Sequence, residues 1–403
     1  MKKIFLTTMA LLTMASASAF GMYGAGSGWI DFLVNGNQFR GRMGQLGFVL
    51  GNDTIRGTFG FVANGSENYG QLLKNPNGGL SYNFYPTISM GLGYTSSLIS
   101  VGVGYNATIS TNRWSRYNGK AYDKSTEAVA HTPVLTLTAL DNAFRMAIPI
   151  QVVHLTDKYT NGVKANITAV SLDAQFRYYT GLEMLPQVRL YLKYGNYSWK
   201  AKGEPFNGKS TLAESFGFDF RLYFGSMVEE VALQPILKIQ YNTALGRQHN
   251  NRNVTAVGLL NDAISNATKI ASLTTSSSES ISYNGKGGSW NLGIIPSLGL
   301  TANSDVVLVY VEPSLGFTIN QSGYKSRETY SLAYGVYGEI YVTPIKNLQW
   351  YFEAEIGNLN SSVSGTATDT ATGAEYNLSG SATSSKYLGF NASTGITWYL
   401  PAL

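Results

Sequence analysis

The chain has no cysteine and only three histidines, and just 13% of its residues are charged. A chain without cysteine holds no disulfide framework and no thiolate metal site. A secreted protein of 403 residues built this way must rest on a large core or a closed sheet. His131, His154 and His249 stand singly, at loop edges or in loops. No HExxH spacing and no glycine-rich phosphate loop before a helix is present. A hydrolase built on a barrel would need a serine or an acid beside one histidine. His154 has only Asp157 nearby in sequence, a proximity common by chance. The expectation is a non-enzyme without cofactor or metal, and "GSGW" and "GKGG" read as turn glycines. Beyond residue 19, no apolar run reaches the length of about 20 residues that a membrane helix needs. The formal charge of +5 falls to +3 once Lys2 and Lys3 are set aside, too little to suggest a nucleic-acid partner.

What is present begins with "MKKIFLTTMALLTMASASA". Two lysines, an apolar run of about a dozen residues and Ala17-Ser18-Ala19 form a secretory signal pattern, with cleavage expected after Ala19. No cysteine follows it, which excludes a lipoprotein. The expected organisation is a signal peptide over 1–19 and one domain over 20–403.

That domain alternates with period two. At 386–400, Leu388, Phe390, Ala392, Ile396, Trp398 and Leu400 share one face, and Gly389, Asn391, Ser393, Gly395 and Tyr399 the other. At 213–225, Phe216, Phe218, Phe220, Leu222 and Phe224 oppose Ser215, Gly217, Asp219, Arg221 and Tyr223. At 347–357, Leu348, Trp350, Phe352, Ala354 and Ile356 oppose Gln349, Tyr351, Glu353, Glu355 and Gly357. Period two means strands with two unlike faces. Similar runs recur to residue 54 at the N-terminal side.

The connections give the architecture. Short ones fall at Gly51-Asn52-Asp53, Thr95-Ser96, Asp141-Asn142, Gly181, Ser226, Asn303-Ser304 and Pro344-Ile345. Longer ones lie near 64–82, 110–132, 155–166, 200–212, 242–288, 321–328 and 358–385. Alternating short and long connections is the habit of outer-membrane barrels, with tight periplasmic turns and longer extracellular loops. Parity requires one more rising strand before 43–50. Residues 28–34 followed by Asn35-Gly36, a hairpin signal, supply it. A short helix or a plug in the lumen over 27–43 is the alternative. Arg40 and Arg42 share the parity of Leu46, Phe48 and Leu50, so a regular strand would aim them at lipid unless a bulge near Gly44 switches faces. The expected fold is an all-β, transmembrane antiparallel barrel of about 16 strands, with 14 as the alternative.

On that reading the polar faces line a wet interior. Arg145, Asp173, Gln175, Arg177, Arg189, Lys193, Asp219, Arg221, Lys238, Gln240, Glu312, Glu339, Glu353 and Glu355 point inward. On the outside of a soluble sandwich they would be unremarkable. The long apolar faces, and aromatic residues near strand ends (Trp290, Trp350, Trp398, Tyr94, Tyr241, Tyr399), favour lipid-facing girdles. The cations Arg145, Arg177, Arg189, Lys193, Arg221 and Lys238 come from middle strands, and Glu312, Glu339, Glu353 and Glu355 from later ones. On a closed barrel they form a basic wall and an acidic wall as pore-lining candidates, unless they pair locally and seal the lumen. Residues 257–267, with Val257, Leu260, Ile264 and Ala267 at helical spacing, suggest either an amphipathic helix at the barrel mouth or a surface loop. Residues 361–385 read as flexible and solvent-facing.

The words "FGMYG", "WIDFL", "GNQFR", "RMGQLGFVLGNDTI" and "GTFGF" over residues 20–61 resemble the variable surface protein family of intestinal spirochaetes. The resemblance implies an outer-membrane, surface-exposed antigen, with oligomerisation and variation between related copies as family options. It carries no catalytic or ligand residues. The ending Trp398-Tyr399-Leu400-Pro401-Ala402-Leu403 departs from the aromatic-terminated last strand of many outer-membrane proteins. Two functions stay open: a porin-like channel for ions or small polar solutes, or an adhesin or structural surface barrel with a plugged lumen. The partners expected are outer-membrane lipid, host surface components and further copies of the chain.

Overall fold

The computed structural model describes residues 29–42, 45–64, 85–112, 116–117, 120–121, 124–159, 164–202, 208–228, 231–245, 290–321, 328–357, 366–368, 375–377 and 389–400. The signal pattern, the helical spacing over 257–267 and His249 lie outside them.

Sixteen antiparallel strands form one closed sheet. In chain order they are β1 (Gln38–Arg42), β2 (Gln45–Gly51), β3 (Ile55–Asn64), β4 (Tyr85–Tyr94), β5 (Ile99–Asn112), β6 (Lys124–Ala139), β7 (Phe144–Tyr159) and β8 (Lys164–Tyr179). They continue as β9 (Gln187–Lys202), β10 (Gly208–Tyr223), β11 (Val231–Ala244), β12 (Trp290–Asn303), β13 (Val307–Gln321), β14 (Glu328–Ile345), β15 (Leu348–Gly357) and β16 (Gly389–Leu400). Each strand pairs with its neighbour in sequence, and β1 pairs with β16 to close the ring. Closure leaves no open sheet edge, so the ladders can satisfy the backbone across the wall without water. Among the described residues no helix is long and apolar enough to cross a membrane.

The alternation read from sequence sorts into two surfaces. Leu92, Val103, Leu315 and Leu332 face outward and are about 60% exposed. Thr87, Ser89, Asn106, Thr132, Thr136 and Gln151 face inward and are fully or almost fully buried. Trp350, Trp398 and Tyr94 face outward next to the short connections, as a girdle does. Tyr399 does not join them. It turns inward, where the Arg40 guanidinium lies 4.8 Å from its ring centroid.

Several turns carry their chemistry locally. The Asn52 Oδ1 accepts hydrogen bonds from the amides of Thr54 (2.9 Å) and Ile55 (2.8 Å) and closes the β2–β3 connection. Asn142 (φ 68°) and Asn347 (φ 71°) take the left-handed conformation that asparagine tolerates, at the β6–β7 and β14–β15 turns.

Four expectations need correction. First, residues 29–34 are no strand. Hydrogen bonds from Phe32 N to Trp29 O (3.3 Å) and from Asn35 N to Asp31 O (2.9 Å) wind them into a helical turn inside the barrel. The first rising strand is Gln38–Arg42, and Asn35-Gly36 lies before it rather than in a hairpin. Second, Arg40 pairs with Gly47, so it shares the inward face of Gly47 and Val49. The hairpin itself reverses the parity, and Arg40 is spared lipid. Third, the strands are longer than read. β7 through β10 run for 16 residues each and confine two connections to residues 160–163 and 203–207. Strand pairing also carries past Ser226, through Ser226–Val228. Fourth, His131 and His154 sit within β6 and β7 rather than at loop edges. Within the stretch read as flexible, Thr366–Thr368 and Glu375–Asn377 pair as a small hairpin.

Candidate functional site: the barrel lumen

The lumen has two unlike walls. One is built by β3 to β6. Its inward residues are small: Thr58, Ser89, Gly91, Gly93, Ser100, Gly102, Gly104 and Thr136. In the β4–β5 ladder, Gly91 stands opposite Gly104 and Gly93 opposite Gly102, giving a floor of four glycines. The helical turn lies on that floor. A Cβ added at Gly104 would stand 2.4 Å from the Trp29 ring, and one at Gly93 would stand 2.4 Å from Leu33 Cδ2. These glycines are required by the close approach of another segment.

Trp29, Ile30, Phe32 and Leu33 are at most 3% exposed and pack with Val49, Val134 and Ala147. Trp29 meets Phe32 edge to face, with centroids 5.6 Å apart. Each such burial contributes about 1.5–3 kcal/mol. Asn37 moors the turn by accepting from the Gly51 amide (2.8 Å) and donating to the Gly51 carbonyl (3.0 Å). Leu33 and Asn37 both lie beside short connections, so the plug occupies the short-turn end of the barrel.

The second wall, β7 to β15, is charged. Register brings Arg145 opposite Arg177, Arg177 opposite Arg189, Arg189 opposite Arg221, and Arg221 opposite Lys238. Five cations thus form one row across β7, β8, β9, β10 and β11. Like charges directly opposite each other destabilise a sheet, so the row must be offset. Asp31, on the plug, accepts from Arg145 Nη1 (2.6 Å) and Arg177 Nη1 (3.0 Å). Asp219 accepts from Arg221 Nη2 (2.6 Å) and Gln240 Nε2 (3.1 Å). Lys238 pairs with Glu312, whose other oxygen accepts from Tyr310 Oη at 2.5 Å. Aromatic faces cover the guanidinium planes. Arg145 lies 4.6 Å from the centroid of Tyr179, Arg189 4.4 Å from Tyr223 and Arg221 4.9 Å from Tyr191. Lys193 and Asp173 are register partners.

Further along the same wall, Glu339 stands opposite Glu353 on β14 and β15, and Glu355 opposite Tyr337. The Tyr337 hydroxyl donates to Glu339. All fourteen inward candidates from the sequence therefore lie on the lumen face, including Gln175 beside Arg177. The separate walls are partly neutralised: local pairing takes Arg145, Arg177, Arg221 and Lys238, while no carboxylate among the described residues pairs with Arg189.

With the lumen described, the family can be stated. Residues 2–399 match the family model described as Serpulina hyodysenteriae variable surface protein. The chain belongs to that family. With its closed sheet, this member of the variable surface protein family is an outer-membrane β-barrel. No curated protein matches it. Solved structures similar to it include CdiB from Acinetobacter baumannii, at 10% identity over 90% of this chain and 59% of that one, with a TM-score of 0.42. The copper transporter OprC is similar at 8% identity over 81% of this chain and 61% of the other, TM-score 0.39. The ferric yersiniabactin uptake receptor FyuA from Yersinia pestis is similar at 7% identity over 79% and 60%, TM-score 0.40. The chain spans 59–61% of the length of these three solved chains.

Sequence reasoning missed Asp31 as the partner of two wall arginines, Arg40 and Arg56 as lumen cations, and the four-glycine floor. The glycines carried a signal. Two neighbouring strands place glycine at alternate inward positions, where a water-filled wall has no need of it.

Proposed function

We propose that this member of the variable surface protein family is a surface-exposed antigen whose barrel conducts ions through a constricted, charge-selective lumen. The short-turn end faces the periplasm, the longer connections face outward toward host components, and residues 1–19 are the cleaved signal. The observation that carries the conducting role is the in-register cation row on β7 to β11, followed along the same wall by Glu339 and Glu353 on β14 and β15. Rings of sixteen strands leave room for an aqueous path, and charge divided unevenly around the lumen sets up a transverse field that orients polar solutes and sorts ions. Nothing in this reading requires a catalytic group or a cofactor.

The test is single-channel conductance of the refolded mature protein in a planar bilayer. Stable, ion-selective steps are expected. Neutralising Arg177, Arg189 and Arg221 together should then change the ion selectivity. An active channel with unchanged selectivity would sink the role of the walls. One observation favours a second reading, a surface barrel with a sealed lumen: the plug, with four apolar side chains seated at one end. Silence from a protein shown to be folded by heat-modifiable gel mobility, with steps appearing only when the plug is unseated, would select it.

A further inference from the structure

Four inward side chains at the short-turn end of β8 and β9 form a patch that is better supplied with donors than its surroundings can use. Arg177 stands opposite Arg189, and Tyr179 opposite Gln187, so the four make two adjoining cross-strand pairs on one face. Arg177, Gln187 and Arg189 are each more than nine-tenths buried. Three donor-bearing atoms of this patch, Arg177 Nε, Tyr179 Oη and Gln187 Nε2, are buried and have no hydrogen-bond partner among the described residues.

Most acceptors nearby are already taken, and against the three open donors stands the Gln175 Oε1, buried on the same face without a partner among the described residues. The Gln187 Oε1 accepts from Arg189 Nε at 2.8 Å. The two Asp31 oxygens are divided between Arg145 and Arg177. Tyr223 stacks on Arg189, and Tyr191 flanks it. Of the three guanidinium groups here, Arg145 and Arg177 thus share one carboxylate, and Arg189 has none among the described residues. Unmet buried donors are uncommon in native proteins, because each forfeits its hydration. Unmet donors beside surplus positive charge fit one chemical class. A small oxyanion accepts several hydrogen bonds at once and supplies the missing charge, and arginine's planar fork suits it.

We propose that Arg177, Tyr179, Gln187 and Arg189 form a binding site for a small oxyanion, a carboxylate or a phosphate, on the lumen wall. Asp31 shows the same chemistry next door, where a carboxylate bridges Arg145 and Arg177. The site deepens the channel reading and rests on it in one respect: the solute reaches the patch through water from the long-loop end.

The test is isothermal titration of the refolded protein in detergent micelles with sodium phosphate, sodium acetate and sodium chloride at matched ionic strength. Saturable binding of phosphate or acetate, but not of chloride, is expected; which of the two saturates first names the solute. Arg189→Gln should weaken binding tenfold or more. Gln187→Leu keeps the charge and should weaken it several-fold, which covers the case where Arg189→Gln fails to fold. Arg189→Lys separates an oriented fork from diffuse charge: undiminished binding in that variant overturns the site. So does the lack of saturation by either oxyanion. Conductance of the same preparation keeps the two ideas apart. A conducting protein that binds neither oxyanion loses the site and keeps the channel. A binding protein that is silent keeps the site and loses the channel.

Discussion

The two halves of the lumen wall solve opposite problems with opposite residues. From β3 to β6 most inward positions are glycine, serine and threonine, and the space they leave is filled by an apolar segment of the same chain. From β7 to β15 the inward positions are long and charged, and the wall fills its own space with ion pairs and stacked tyrosines. The comparison teaches that a barrel too wide to be packed by its own strands need not be treated evenly around its circumference. One half lends a floor to a plug, while the other keeps side chains that only a polar interior tolerates. Asp31 joins them, because its neighbours Trp29, Phe32 and Leu33 contact the glycine floor while its carboxylate reaches the charged wall.

The largest effect is expected from breaking the glycine half. Trp29→Ala removes a fully buried aromatic from a seat shaped for it and should cost the plug about 3–5 kcal/mol. The expected outcome is a folded barrel with larger single-channel steps than the parent. Steps of parental size from that variant would mean that the plug does not set the width of the path.

Next comes the link between halves. Asp31→Asn leaves Arg145 and Arg177 facing each other without their shared carboxylate. Losing one partner of a largely buried pair costs about 3 kcal/mol or more. The melting temperature should fall, and the selectivity of an open channel should move toward anions, since one negative charge leaves the basic wall. A reversal-potential measurement in a salt gradient reads the sign. A move toward cations would place Asp31 outside the ion path.

At the border between the basic and acidic walls, Lys238→Gln should be milder. It strips Glu312 of its cation but leaves the Tyr310 hydrogen bond, so the loss should be about 1.5–3 kcal/mol, that of one hydrogen bond to a charged group. The same salt-gradient measurement should now shift toward cations. Asp31→Asn on the plug and Lys238→Gln on the wall thus predict opposite signs, and equal signs would defeat the account of a charge-selective lumen.

Much of the wall was legible in the sequence because a barrel face has period two and lipid tolerates no exceptions. The faces of Phe216 to Phe224 and of Leu348 to Ile356 could be read without knowing any neighbour. Two kinds of feature could not. Strand length beyond the apolar band was hidden, since both faces turn polar there. Residues 155–166, "LTDKYTNGVKAN", look like a loop yet hold the ends of β7 and β8. Register was hidden too. Arg145, Arg177, Arg189, Arg221 and Lys238 were individually visible as inward cations, but their alignment into one row depends on how far each strand is staggered against the next. The plug was legible only as an alternative, because "WIDFLVNG" satisfies both templates: it is a short apolar run, broken by Asp31 alone, that ends in a hairpin dipeptide. What decides it is a surface elsewhere, the glycine floor some 60 or more residues downstream.

That floor gives the smallest and most direct test of the comparison, a single methyl group placed in each half. At Gly104 the new Cβ would stand 2.4 Å from two atoms of the Trp29 ring. A buried indole held edge to face against Phe32 cannot yield that distance without moving the whole turn. At Gly338, on the outer face of the charged half, the nearest atom to a new Cβ is the Tyr310 carbonyl oxygen at 3.7 Å, an ordinary contact. Gly104→Ala should therefore cost about 1–3 kcal/mol, the range for overpacking. Gly338→Ala should be neutral or stabilise by up to about 1 kcal/mol, since it removes backbone freedom from the unfolded chain without strain. Urea unfolding of the two variants side by side, followed by tryptophan fluorescence, checks both. Equal midpoints would mean that Trp29 does not rest on the glycines, and the division of the lumen into a plugged half and a charged half would lose its structural basis.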